Sequence, residues 1–248
     1  MLKKLKSALK SPTGSILALA LKAAVFSGLL YFVNGQWSMV VVFLAAALYF
    51  YFRPSFNADK FLASFLVLLV VSLLIRWSIV NNQWSIVIVI FLGFLFFILL
   101  GIKNLIFIKR ESLYHFLNNL LLLIIFILFF RSSPYHLFFI KYLLLIFAIG
   151  LLSKEFLNFL IPELLPSQKK KVIIWGTSFL IAQFIWAINL LPINFLNAAA
   201  LSFLAMFILQ DFVIHHFSGT INRQIILRNI TVFLVLTLII CGASKWSP

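Results

Sequence analysis

QDFVIHHFSGTINRQ, residues 210–224, gathers an acid, two histidines and several amides in a chain otherwise poor in reactive side chains. On a helix, Asp211 and His215 stand four residues apart and share a face. Glu111 and His115 repeat the same carboxylate-then-histidine spacing. Were the two helices to adjoin, two imidazoles and two carboxylates would suffice to ligate zinc or iron. The same residues have a plainer use. Histidines in a last helical turn suit the negative end of the helix dipole, Asp211 pairs locally with His215, and Gly219 ends the helix. The expectation is this structural use, without a bound metal. Glu111, His115, Asp211 and His215 are the candidate ligands of the alternative.

Other chemistries lack their residues. Four histidines cannot build the histidine boxes of membrane desaturases. The chain has no aspartate pair spaced like those that hold magnesium in prenyltransferases or alcohol phosphotransferases. WGTSF at 175–179 lacks the G-x-S-G of an intramembrane serine protease. One cysteine, Cys241, excludes an intrachain disulfide and a cysteine metal cluster. No cofactor is expected, and catalysis is not the favoured reading.

The elements that would position these residues follow from composition. The chain is 64% hydrophobic and 10% charged over 248 residues, with a mean hydropathy of +1.16. Soluble domains carry about 25% charged residues. No water-soluble packing hides so much apolar surface, so the solvent is a bilayer and the structure helical. Phe is abundant at 30 and Gly scarce at 9, although membrane helices commonly use Gly where backbones pack closely.

The expected fold is an all-α polytopic integral membrane protein of about nine transmembrane helices, in one domain over 15–248. Apolar runs fall at about 15–33, 37–52, 61–80, 84–102, 113–130, 135–152, 172–189, 193–214 and 229–244. A span needs about 20 residues, so 37–52 and 229–244 are marginal. The run from Ser15 is too long for a signal-peptide core and ends without an A-x-A site, so it reads as a retained span. Residues 1–14 read as a basic segment on the membrane surface, with Leu2, Leu5 and Leu9 down and Lys3, Lys6 and Lys10 snorkelling beside Lys4.

Of the 20 basic residues, sixteen fall at the N-terminus and on the longer loops after even-numbered spans. Only Arg76, Arg131, Lys141 and Lys245 fall on the other side. This asymmetry predicts a cytoplasmic N-terminus and an external C-terminus in a cell membrane. Trp37, Trp77, Trp84, Tyr135, Trp186 and Trp246 then form an outer aromatic belt. Lys22 is expected to snorkel inward, and Arg76 and Lys141 outward. The basic inner rim, with Lys169, Lys170 and Lys171, points to anionic lipid headgroups. Charges scattered over short loops do not make a nucleic-acid surface.

NGQWSMVVVFL at 34–44 recurs as NNQWSIVIVIFL at 81–92, offset by 47 residues. Asn and Gly suit a tight turn, Trp the headgroup level, and Ser a helix cap. The chain thus reads as four tandem helical hairpins plus a ninth span, with convergence on good turn residues as the other explanation. Mid-span Ser64, Ser72, Thr177, Ser178, Ser202 and Thr237 are expected to bond backbone carbonyls or neighbouring helices. Gln183, Asn189, Asn194 and Asn197 make the seventh and eighth spans the most polar pair, the first place to look for a substrate or assembly surface.

The function expected is binding or assembly within the membrane, with lipids or partner membrane proteins as ligands. Two other classes remain: a small-solute or lipid transporter, and a membrane enzyme with a cytoplasmic-rim metal site. Scarce Gly and Pro weigh against the broken helices of transporters.

Overall fold

The structure is a computed structural model, which describes residues 12–33, 36–53, 60–78, 85–132, 138–160 and 167–244. The basic segment with Lys3, Lys4, Lys6 and Lys10 lies outside these residues, as do Trp84, Tyr135, Trp246 and most of the repeated turn. Nine helices and no strand are present among the described residues. They are α1 Pro12–Phe32, α2 Trp37–Phe52, α3 Leu62–Ser78, α4 Ser85–Lys103, α5 Arg110–Arg131, α6 Phe138–Leu160, α7 Ser167–Ile188, α8 Phe195–Phe217 and α9 Arg223–Ala243. Seven are long and apolar enough to cross a membrane; α2 and α3 are shorter apolar helices of 16 and 17 residues. The chain is a polytopic helical membrane protein. The marginal last run gains a full turn and a half at its start, because α9 begins at Arg223. At α2 the expected cap is displaced: Gln36 is the N-cap, without a side-chain cap bond, and Ser38 lies inside the helix.

The helices form two compact units, Met1–Asn118 and Asn119–Pro248, divided within α5. In the first, α1 packs most extensively on α4. Gly93 makes this approach possible: a Cβ there would overlap Ser27 Oγ and stand 3.3 Å from the Ala23 carbonyl oxygen. Small residues are what let membrane helices approach so closely. Around this crossing the abundant phenylalanines form a ladder. Phe26 stacks on Phe96 at 4.3 Å between centroids and meets Phe43 at 5.0 Å, and Tyr51 stacks on Phe65 at 4.1 Å. Phe26, Phe43, Phe65, Phe96 and Tyr51 are all fully buried.

Cations from neighbouring helices cap the helix ends of this unit. Arg76 of α3 was expected at the outer surface; it is instead buried, donating from Nε to Val33 O at 3.0 Å and from Nη2 to Tyr31 O at 2.8 Å. The last carbonyls of α1 need donors, which is a better use of the guanidinium than water would be. At the opposite end, Lys22 Nζ of α1 donates to Arg53 O at 2.9 Å and Lys103 Nζ of α4 donates to Tyr51 O. These close the C-terminus of α2. The exposed Trp37 and Trp77 meet edge-to-face at 6.2 Å, and the outward-facing indoles fit an interfacial belt.

In the second unit α6 packs most extensively on α7, again at a glycine: a Cβ on Gly150 would lie 3.2 Å from the Trp175 ring. The most extensively packed helix pairs of both units therefore join one predicted hairpin to another, α1 to α4 and α6 to α7. Ser72, Ser178 and Ser202 bond carbonyls four residues back and Thr177 one three back, as their mid-span positions require. Lys141 donates to Ser132 O and sits 4.2 Å over the Phe129 ring, closing the end of α5.

Candidate functional site

The last two helices build the most distinctive site. A Schellman turn ends α8: Gly219, at φ +65°, donates to His216 O at 3.3 Å and Thr220 donates to His215 O at 3.0 Å. The expected glycine stop is thus in place, and the turn sends α9 back along α8. Asp211 and His215 face one another across one helical turn, with Oδ1 and Nε2 3.6 Å apart. His215 Nδ1 is 2.8 Å from Thr220 Oγ1. The local pairing read from spacing is present.

Spacing alone did not show what holds the other carboxylate oxygen. Asn229 Nδ2 donates to Asp211 Oδ2 at 2.6 Å, and Arg228 Nη2 donates to it at 3.4 Å, both from α9. Asn229 is buried in a helix whose other described side chains are mostly exposed. At the far end Asn197 Nδ2 donates to Ser244 Oγ at 2.8 Å, and Ser244 in turn donates to Ile240 O at 2.7 Å. Two polar pins therefore fasten α9 to α8. The lone asparagine in an apolar run was the available signal, since an amide inside a span needs a partner.

Beside the Asp211–Asn229 pin lies an apolar cleft of ≈ 320 Å³. Ala205, Leu209 and Phe212 line one wall and Asn229, Phe233 and Leu234 the other. Only 6% of the apolar stretch of α9 is buried, so the cleft opens along a helix whose outer face meets whatever surrounds the protein. A second cavity of ≈ 20 Å³ lies where α6, α7 and α8 meet, bordered by Ser153 and Gln210. It has room for one water.

The remaining predicted residues are dispersed. Glu111 is exposed in the first turn of α5, close enough for its charge to act on the half-buried His115. Among the described residues no group of three or more His, Cys, Asp or Glu is placed to hold a metal ion. Asn189 Nδ2 donates to Tyr142 OH at 2.9 Å on α6, while Asn197 serves the α9 pin. Gln183 and Asn194 are exposed, so the four amides of α7 and α8 do not share one partner. Lys169, Lys170 and Lys171 stand near the start of α7. Compared with known protein families, with curated proteins and with solved structures, the chain matches none.

Proposed function

We propose that this protein is a multi-pass component of the cell membrane without catalytic activity, N-terminus inside and C-terminus outside, that binds lipid. The observation that carries the reading is the apolar cleft between α8 and α9. Its volume is at the small end of ligand pockets, about 300–1,000 Å³, which suits one acyl chain rather than a whole phospholipid. Asn229 lines the cleft and holds Asp211 beside it, and Arg228 and His215 meet the same carboxylate. An anionic headgroup there would place its acyl chain along Ala205 and Leu234. Both oxygens of Asp211 are already engaged, Oδ1 with His215 on α8 itself and Oδ2 with Asn229 on α9, a structural use that accounts for the acid without a reaction.

The lysines at the start of α7 add support. Positive charge at a helix N-terminus opposes the dipole, by about 0.3–1 kcal/mol per charge. An anionic inner leaflet offsets this, at about 1 kcal/mol per lysine. Native mass spectrometry of the gently purified protein tests the reading. Wild type should retain one more lipid per chain than Ala205→Phe, which fills the cleft and should keep the melting temperature. Equal lipid retention by both would defeat the proposal, and stoichiometric capture of a membrane protein in its place would favour assembly. About one zinc or iron per chain, lost in His115→Ala or His215→Ala, would put the enzyme reading first.

A further inference from the structure

We infer that Lys22, Arg53 and Lys103 form a phosphate-binding site in the first unit, at the C-terminus of α2. The inference stands on that unit alone and does not rest on the cleft. The three side chains come from α1, from the residue that ends α2, and from the last position of α4. Lys22 and Lys103 reach carbonyls two residues apart on the same helix end, Arg53 O and Tyr51 O. Lys103 is 2% exposed and its Nζ lies 3.9 Å over the Tyr51 ring. Arg53 donates to Tyr49 OH and its guanidinium stands 5.3 Å over that ring. The charges of Arg53 and Lys22, and of Lys22 and Lys103, act on each other.

Capping alone does not explain three cations. A helix C-terminus carries about half a negative charge, so most of the positive charge is left over. Among the described residues none of the three meets a carboxylate. Aromatic faces attract a cation but bring no net charge. A buried cation without a counter-charge is costly. Each lysine uses one of its three N–H donors and Arg53 one of its five. The remaining donors suit an oxyanion with several acceptors, which is the chemistry of a phosphate. Lys103 would be its floor, with the half-buried Lys22 and exposed Arg53 at the mouth.

Depth narrows the source. With 16 residues at about 1.5 Å each, α2 is about 24 Å long, against about 30 Å of hydrocarbon. Its charged end therefore stops short of the headgroup level when its other end is at the surface. A phospholipid phosphate drawn inward by these cations meets both needs at once, thinning the leaflet locally. A free phosphate ion would satisfy the charge but not the mismatch.

The test compares phosphatidylglycerol with phosphatidylcholine retained by the full chain from mixed vesicles, read by native mass spectrometry. A parallel arm follows the melting temperature of delipidated protein in inorganic phosphate. Preferential phosphatidylglycerol retention is expected, about tenfold weaker in Lys22→Gln/Arg53→Gln. Replacing Lys169, Lys170 and Lys171 together by Gln should weaken it less than the double variant does. Stabilisation by inorganic phosphate, lost in the same double variant, would keep the site but assign it to the free ion. The proposal is overturned if wild type shows neither preference, or if the triple variant loses as much as the double. It is also overturned if only Asp59→Asn creates the binding, because Asp59 would then be the counter-ion. Lys103→Met serves as a second probe, since the double variant leaves that buried position intact.

Discussion

Replacing Gly93 tests whether α1 and α4 are held by close approach or only by the surrounding lipid. A methyl group at 93 overlaps Ser27 Oγ and lies 3.2 Å from Ser27 Cβ and 3.3 Å from the Ala23 carbonyl. The hydroxyl can rotate away; the carbonyl belongs to the helix and cannot. Gly93→Ala therefore combines an overpacking cost of about 1–3 kcal/mol with a helix-propensity gain of about 1 kcal/mol. The net loss is about 0–2 kcal/mol. Gly93→Leu adds atoms that rotation cannot clear and forces the helices apart. The Phe26–Phe96 stack at 4.3 Å lies one turn from the contact, and its loss adds about 0.5–1.5 kcal/mol. The total is about 3 kcal/mol or more, a fall in melting temperature of about 6–12 °C for a chain of this size. Thermal unfolding of the purified variants, followed by size-exclusion recovery, reads the series. Ser27→Ala should restore only part of what Gly93→Ala loses, because the Ser27 Cβ and Ala23 carbonyl contacts remain. A Gly93→Leu variant as stable as wild type would show that α1 and α4 are not packed as described.

Asn229→Ala should cost about 1.5–3 kcal/mol, the range for a hydrogen bond to a charged group. His215→Ala should cost only a few tenths; equal losses in thermal scans would refute the α8–α9 pin. Arg76→Leu should destabilise by about 3 kcal/mol or more, because the buried Val33 carbonyl and the part-buried Tyr31 carbonyl lose their donor. Arg76→Lys should not rescue it, as one ammonium cannot reproduce the two-nitrogen reach. Leu105 holds φ 59° at the end of α4, so Leu105→Gly should raise stability by about 1 kcal/mol in the same scans. Reporter fusions at 57, 106, 168 and 220 should read as cytoplasmic and one after Pro248 as external; a cytoplasmic C-terminus would refute the proposed orientation.

The helices were legible because hydropathy is a local property: each described helix overlaps an expected apolar run. Asp211 with His215 was legible for a related reason, since four residues on a helix return to one face. Partners 18 and 47 residues apart, Asn229 and Ser244, leave no such periodic trace. The cation sites were misjudged for a physical reason. Snorkelling treats a lysine or arginine as choosing only between hydrocarbon and headgroup. Arg76 found a third solvent, the bare carbonyls of a neighbouring helix end. The glycine shortage likewise misled only in number. Gly93 and Gly150 are placed at the most extensive helix contact of each unit, and Phe fills much of the space around the first.

The caps of the first unit also bear on how the chain is made. The end of α1 waits for Arg76 on α3, and the end of α2 waits for Lys103 on α4. During synthesis the first helix leaves the ribosome with its last carbonyls open and the second with only Lys22 to serve its end, and each is completed by a residue from the following pair. Neither pair is a finished product when it enters the bilayer. Maturation of this unit is therefore a four-helix event, and the emergence of Lys103 is the step that completes it. A nascent chain halted before that residue would present the translocon, and any quality-control protease, with an end of α2 that Lys22 alone closes.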